Sequence, residues 1–275
     1  MPSLLSTSDL VKKYQLNAKK SLGQNFIFDQ NFTDKIVKNC GEIENKIILE
    51  IGAGPGTLTR SILAKKPKKL IVVEKDKRAI ELLKELQSFY GSSLEIIEAD
   101  ATKIDETAIA NNEKFKIIAN LPYNIGTVLL IKWLKNLDNI ESMHLMLQRE
   151  VAQRIEAEVN QKHYGRLSVI SNLLCKTKII FEVPPTIFTP PPKVVSAIIE
   201  LIPRNIKLEN FNLDIFEKIV ASAFNQRRKM LRSSLKSIFN KDVDSVLREL
   251  NIDSSLRAEN ITIEQFIKIS QHLQS

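Results

Sequence analysis

The sequence predicts an open α/β fold, a mostly parallel sheet with helices on both faces, followed by a small all-helical domain. Three observations predict it. Short β-branched apolar runs alternate with helical stretches in the first half of the chain. A glycine-rich turn closes the first of these runs, and no strand signal remains beyond about residue 205.

The runs are Ile47–Ile51 (IILEI), 70–74 (LIVVE), Leu94–Glu98 (LEIIE), 115–119 (FKIIA) and 142–147 (SMHLML). Near-continuous apolar strands of this kind are buried on both faces, as in a parallel sheet. Helical segments at 57–66 and 77–89 separate them. In the second, Ile80, Leu83 and Leu86 recur every three residues beside Leu82, the spacing of an amphipathic helix. Strand, helix, strand at this interval implies right-handed crossovers. After 168–175 the pattern changes. Two extended runs, 178–183 and 194–202, flank Pro184, Pro185, Pro190, Pro191 and Pro192. Proline cannot donate to a ladder, so the prolines form a rigid loop, and the flanking runs pair antiparallel at one end of the sheet. Beyond Pro203 the segments 213–239, 243–250 and 263–273 read as helices, which sets a boundary between domains 1–204 and 205–275.

Composition narrows the function classes. The 275 residues are 43% hydrophobic and 26% charged, which excludes global disorder. Forty Lys and Arg against 32 Asp and Glu give a net charge of +8, which suits a polyanionic partner without requiring one. Cys40 and Cys175 stand far apart with no CxxC and no adjacent His, so neither a disulfide framework nor a Cys/His metal site is expected. No apolar run approaches the ~18 residues of a membrane span, and the first thirteen residues lack a secretory signal pattern. The expectation is a cytoplasmic protein with no membrane or metal.

The run Leu49-Glu50-Ile51-Gly52-Ala53-Gly54-Pro55-Gly56-Thr57 leaves a strand and opens a helix. Its GxGxG spacing differs from the dinucleotide fingerprint, and no Lys-Ser/Thr follows to hold a phosphate. Alone, it is a weak signal. Three polar residues strengthen it, each following one of the next three strands: Glu74, 22 positions past Gly52, then Asp100 and Asn120. In an open α/β sheet, ligands sit outside the carboxyl ends of the strands. A carboxylate after the second strand can accept both hydroxyls of a ribose, and one after the third can accept from an adenine amino group.

Asn120-Leu121-Pro122-Tyr123 is the most specific feature. It suits methylation of an exocyclic amine. The lone pair of such a nitrogen is delocalised into the ring, which makes it a poor nucleophile. The Asn120 side-chain oxygen and the Leu121 carbonyl can each accept one amino hydrogen, which favours a pyramidal nitrogen aimed at an incoming methyl. Pro122 holds Leu121 extended. Tyr123 offers a ring on which an extruded base can stack, worth ~1–3 kcal/mol. No strong general base is needed, because the methylated amine is acidic.

At these residues the chain resembles the family of ribosomal RNA small-subunit (16S) adenine N6,N6-dimethyltransferases over nearly its whole length. The resemblance is carried by residues 20–26 (KSLGQNF), 50–56, Glu74-Lys75-Asp76, Asp100-Ala101, 120–123, 188–196 (FTPPPKVVS) and 223–236 (AFNQRRKMLRSSLK). It implies a Rossmann-like class I methyltransferase fold, S-adenosyl-L-methionine as cofactor, and dimethylation of two adjacent adenines near the 3′ end of 16S rRNA. Carried over by position, it implies that Asn25, Ile27, Gly52 and Gly54 touch the cofactor. Glu74 would hold the ribose and Asp100 the adenine ring. Asn120 would serve cofactor and target amine, and Tyr123 and Phe188 would sandwich the target base. The helical domain would help dock on pre-30S particles, with the protein acting as a monomer. One departure stands out: Val195 occupies a position where the family pattern has an acidic residue.

Residues 225–236 carry Arg227, Arg228, Lys229, Arg232 and Lys236 with no acidic residue. On one helix, Arg228, Arg232 and Lys236 would form a stripe whose self-repulsion a polyanion would relieve. A solvated basic face is the plainer reading; the density of charge favours RNA contact. A second cluster, Lys12, Lys13, Lys19 and Lys20, is expected to be a mobile arm. His144, in an apolar run, is expected in the core. The alternatives are a large-subunit rRNA methyltransferase of the macrolide-resistance type, a non-catalytic assembly or transcription factor on the same fold, and a small-molecule or DNA methyltransferase.

Overall fold

The computed structural model describes residues 5–19, 22–205, 211–226, 228–239 and 242–274. The chain opens with α1 (Thr7–Lys13), the two-residue β1 (Phe26–Ile27) and α2 (Gln30–Lys38). The alternating region follows: β2 (Ile47–Ile51), α3 (Thr57–Leu63), β3 (Lys69–Glu74), α4 (Lys77–Tyr90), β4 (Leu94–Glu98), α5 (Glu106–Ile109), β5 (Phe115–Asn120), α6 (Gly126–Leu134) and β6 (Ile140–Gln148). Next come α7 (Arg149–Glu156), α8 (Arg166–Leu174), β7 (Cys175–Val183), the short β8 (Phe188–Thr189) and β9 (Ser196–Pro203). Four helices close the chain: α9 (Leu213–Asn225), α10 (Leu231–Ser234), α11 (Val243–Glu249) and α12 (Ile263–Gln274).

Seven strands form one sheet in the order β4-β3-β2-β5-β6-β9-β7. The pairs from β4 to β6 are parallel, and β9 joins β6 antiparallel. Every residue of β2 is buried, as a central strand of two-sided apolar character requires. β7 lies at the edge, where exposed Lys176, Lys178 and Glu182 discourage pairing with another chain. From β2 the chain builds outward through β3 to β4. It then returns to the other side of β2 with β5 and β6, so the order reverses between β2 and β5. Their register runs only from Ile47↔Phe115 to Leu49↔Ile117. The two strands separate before their C-terminal ends, opening a crevice at the topological switch point.

The chain divides into two compact units, and the division is discontinuous. One comprises 1–152 with 178–203, the other 153–177 with 204–275. The single boundary expected near 205 misplaces 153–177. Tyr164 donates to the Ile261 carbonyl at 2.9 Å and its ring meets Phe224 edge-on, so this stretch packs into the helical core. Local sequence pattern gives no warning of such a long-range contact.

The helix expected over 213–239 is also broken. α9 ends at Asn225, and Met230 in an extended conformation restarts the chain as α10. Leu231 N–H donates to Leu256 O at 2.7 Å, where a continuous helix would use the preceding turn. Arg228, Arg232 and Lys236 are exposed but do not share one helical stripe, and Arg232 lies 3.7 Å from Asp244. Arg227 lies outside the described residues. The basic N-terminal arm is partly anchored: Lys13 and Tyr14 both reach Glu85, at 2.5 and 2.6 Å. Lys20 lies outside the described residues. His144 is buried and its Nε2 meets Glu200 at 3.0 Å, while its Nδ1 has no partner among the described residues. Burial pushes both cysteine thiols up to about 12, which leaves them inert.

Candidate active site

The crevice at the tips of β2 to β5 gathers ten of the eleven residues that the sequence assigns to catalysis and cofactor contact. Asn25, Ile27, Gly52, Gly54, Glu74, Asp100, Asn120, Leu121, Pro122 and Tyr123 all line it. Each arrives by a short route from a rigid strand.

Glu74 ends β3, buried, with its oxygens held by the glycine turn that follows β2 and by the two residues after it. Oε1 accepts from Lys75 N and Asp76 N at 2.7 and 2.8 Å, and Oε2 accepts from Gly54 N at 3.0 Å. These bonds lock the carboxylate, fill both acceptor directions of Oε1 and leave one on Oε2 for a ligand hydroxyl. They also set the glycine turn. Gly54 stands at φ +52°, and a Cβ there would lie 3.0 Å from the Phe26 ring, so only glycine lets that ring close over the loop.

Asp100 follows β4. Its Oδ1 caps a short turn by accepting from Thr102 N and Oγ1, and its Oδ2 receives Lys75 Nζ at 2.9 Å. The Lys75 bond first, and the Thr102 bonds next, hold its carboxyl well below the usual carboxylate range. Asn120 ends β5. Its Nδ2 donates to Asn25 O at 3.3 Å, tying the N-terminal segment to the strand tip. With the amide nitrogen committed there, the side chain presents Oδ1 as its acceptor. Pro122 O then accepts from Ile125 N and Gly126 N, both at 3.1 Å, a turn that starts α6 and fixes the tetrapeptide.

Phe188 is the exception. It is only 3% exposed, does not line the crevice, and packs in the core with Phe26, Ile27 and Val183. The cause is a ladder that the sequence did not reveal. β8 pairs antiparallel with β1, Ile27 opposite Phe188 and Phe26 opposite Thr189, which draws the ring inward. The expected Tyr123/Phe188 sandwich is therefore not assembled in this structure. Val195 meets the sheet through its backbone, its carbonyl accepting from Arg149 N at 2.9 Å. That anchor is indifferent to the missing acidic side chain.

Sequence reasoning missed three further elements of the site. Glu50 lines the crevice while only 1% exposed, and it accepts from Thr59 Oγ1 at 2.7 Å; its place beside the glycine turn was the available signal. Burial pushes its carboxyl up to about 8 despite the Thr59 bond. Lys75 reaches Asp100, as above. Asp76, buried at the start of α4, accepts from Gln24 Nε2 at 3.1 Å and from Arg78 Nε and Nη2 at 3.1 and 2.6 Å. Burial opposes its ionisation, but the Arg78 and Gln24 bonds prevail and hold it below the usual range. Residues 22–27 thus form a strap tied at its middle to both sides of the crevice, by Gln24 to Asp76 after β3 and by Asn25 to Asn120 at the end of β5.

The donor set fits S-adenosylmethionine and does not suit a dinucleotide. Among the described residues the ionisable side chains of the lining are Glu50, Glu74 and Asp100 against Lys75, and Lys75 is already paired. A diphosphate would meet carboxyl groups and, among the described residues, no unpaired cation. A sulfonium with an ammonium group would meet favourable charge, and an adenosine would meet two well-fixed acceptors. Ile51, Phe26, Val73 and Pro122 supply apolar walls.

The chain is similar to known proteins over most of its length. A family model described as ribosomal RNA adenine dimethylase matches residues 15–275. The ribosomal RNA small subunit methyltransferase A of Chelativorans sp. (strain BNC1) is 42% identical over 99% of both chains. The protein of the same name from Afipia carboxidovorans is 44% identical over 96% of this chain and 94% of that one. Among solved structures, a dimethyladenosine transferase from Plasmodium falciparum superposes with a TM-score of 0.75 at 29% identity, covering 89% of this chain and 95% of that one. The 23S rRNA methyltransferase ErmE shares the fold, with a TM-score of 0.71 at 24% identity over 91% of this chain and 100% of that one. With crevice, strand-tip acceptors and tetrapeptide all in place, the chain belongs to the ribosomal RNA adenine dimethylase family.

Proposed function

We propose that the protein uses S-adenosylmethionine to dimethylate N6 of two adjacent adenines near the 3′ end of small-subunit rRNA, acting as a monomer on pre-30S particles in the cytoplasm. The observation that carries the reading is the Asn120 amide, whose nitrogen donates to Asn25 O, in the lining of a crevice that also holds Glu74 and Asp100. The family membership and the names of the relatives support the substrate. No helix among the described residues is long and apolar enough to cross a membrane.

When bound, the cofactor supplies an electrophilic methyl group on a cationic sulfur. Glu74 and Asp100 bind its ribose and adenine. Asn120 Oδ1 and the Leu121 carbonyl accept the two amino hydrogens of the target adenine and turn its nitrogen toward the crevice. Tyr123 supplies the ring on which that base rests. Oriented acceptors fixed on strand tips act before reaction and need no reorganisation during it. The exposed cations Arg228, Arg232 and Lys236 bind phosphate of the particle.

The test is incubation with labelled S-adenosylmethionine and unmethylated small subunits, followed by nucleoside analysis. Labelled N6,N6-dimethyladenosine is expected from the small-subunit rRNA, and none from naked large-subunit rRNA. Asn120→Ala should lower kcat by about 100-fold or more while particle binding persists. Full activity in that variant would remove Asn120 from amine orientation.

A further inference from the structure

Tyr123 carries a hydroxyl that stacking does not need, since a phenylalanine ring presents the same face to a base. In this structure the hydroxyl lies 2.6 Å from Ser196 Oγ. Ser196 is fully buried and is the first residue of β9, in register with Gln148 of β6. The preceding residue is pinned as well, Val195 O accepting from Arg149 N at 2.9 Å. The anchor therefore sits on the sheet itself. In the sheet β6 lies between β5 and β9, so the bond ties the loop that follows β5 to the first residue of a strand two places away. Burial raises the phenol above its ordinary pKa, against the Ser196 bond, so the group stays protonated through the neutral range.

We propose that Ser196 is a positioning residue for methyl transfer: its hydroxyl fixes the Tyr123 ring at the crevice mouth in the orientation on which the extruded adenine stacks. The inference rests on the functional reading above and assigns the tyrosine hydroxyl to geometry, not to proton transfer. Without its partner, the half-buried phenol loses its tether, and the ring is free to turn on its side-chain torsions. The adenine then stacks at varied angles, and its amine meets Asn120 in the productive pose less often. Ser196 also ends the loop that starts at Phe188, and Phe188 pairs with Ile27 of the strap. One loop thus joins the base platform to the segment that closes over the cofactor.

A double-mutant cycle on the full-length protein tests this, with unmethylated small subunits as substrate. Ser196→Ala and Tyr123→Phe should each lower kcat about tenfold, the loss expected from one hydrogen bond. The S-adenosylmethionine Kd measured by calorimetry should not change. The double variant should be no worse than either single one, because both remove the same bond. Ser196→Thr, which keeps a hydroxyl, should recover activity to within about threefold of the wild type. If Ser196→Ala fails to fold, Ser196→Cys replaces it as the near-isosteric variant. Wild-type kcat in the alanine variant would overturn the proposal. So would multiplying losses in the double variant, or a parallel loss of cofactor affinity. A pH–rate profile that loses a limb in Tyr123→Phe would also overturn it, by showing proton transfer. A wild-type protein that leaves the subunits unmethylated would overturn the functional reading itself, and this assignment with it.

Discussion

Glu50 keeps a carboxyl group almost wholly out of water beside a site that must receive a cation. Burial raises it from 4.5 to about 8, with the Thr59 bond opposing and the Glu74 charge reinforcing the rise. At neutral pH the charge facing a ligand therefore comes from Glu74 and Asp100, while Glu50 acts as a neutral, hydrogen-bonded wall. The sign of the stability effect follows. The unfolded chain releases this proton near 4.5 and the folded chain keeps it until about 8, so between those values the unfolded state binds fewer protons and stability falls as pH rises, levelling above 8. Glu50→Gln should flatten this dependence. Between pH 5 and 8 its Tm should decline less than that of the wild type, by on the order of 10 °C. Parallel melting curves would show that Glu50 ionises normally. Its place beside the glycine turn was visible in the sequence but its burial was not, because a Glu within an apolar strand looks the same whether it faces solvent or a covered crevice.

The elements that build the site differ in how openly the sequence declares them. The core strands are legible because five successive buried residues, as in β2, leave a composition few other environments tolerate. The glycine turn and tetrapeptide are legible because their backbone demands restrict residue type. The two-residue ribbon of β1 and β8 is not, since two residues carry no periodicity, and their pairing joins positions about 160 apart in the chain. That ribbon decides where Phe188 goes. It also presses Phe26 onto the glycine turn, which makes Gly54 a test of the whole strap. In Gly54→Ala the new methyl would meet the Phe26 ring at 3.0 and 3.1 Å, at a backbone angle that alanine resists. Displacement of the strap should weaken S-adenosylmethionine binding by about tenfold or more, with an added stability loss of roughly 1 kcal/mol from the backbone strain. Wild-type affinity by calorimetry would show that the strap does not bear on the cofactor.

Across the whole molecule, the net charge of +8 and the basic segment of the second unit suit a polyanionic partner. The three exposed cations are not equivalent. Arg232 has an intramolecular partner in Asp244 at 3.7 Å, so part of its charge is already compensated. Arg228→Ala, Arg232→Ala and Lys236→Ala combined should weaken small-subunit binding and lower the magnitude of its log–log salt slope by about 1.5 to 2.5. Cofactor affinity should stay unchanged, since none of the three lines the crevice. An unaltered slope would exclude these residues from the RNA interface. The break between α9 and α10 explains why the sequence overstated their order: residues with helical periodicity gave up intrahelical bonds when the loop at 254–256 offered better-placed acceptors.

The sequence by itself determined the parallel α/β core, the glycine turn, the polar residue at each strand tip and the Asn-Leu-Pro-Tyr turn that follows β5. These are written in runs of a few residues whose backbone and burial requirements are local. Only the tertiary structure decided that β2 and β5 separate to open the crevice, that Phe188 turns into the core, that Ser196 holds Tyr123, and that 153–177 joins the helical unit. Each of these depends on contacts between distant segments, and short-range pattern does not encode which distant partner a strand end, ring or hydroxyl will meet.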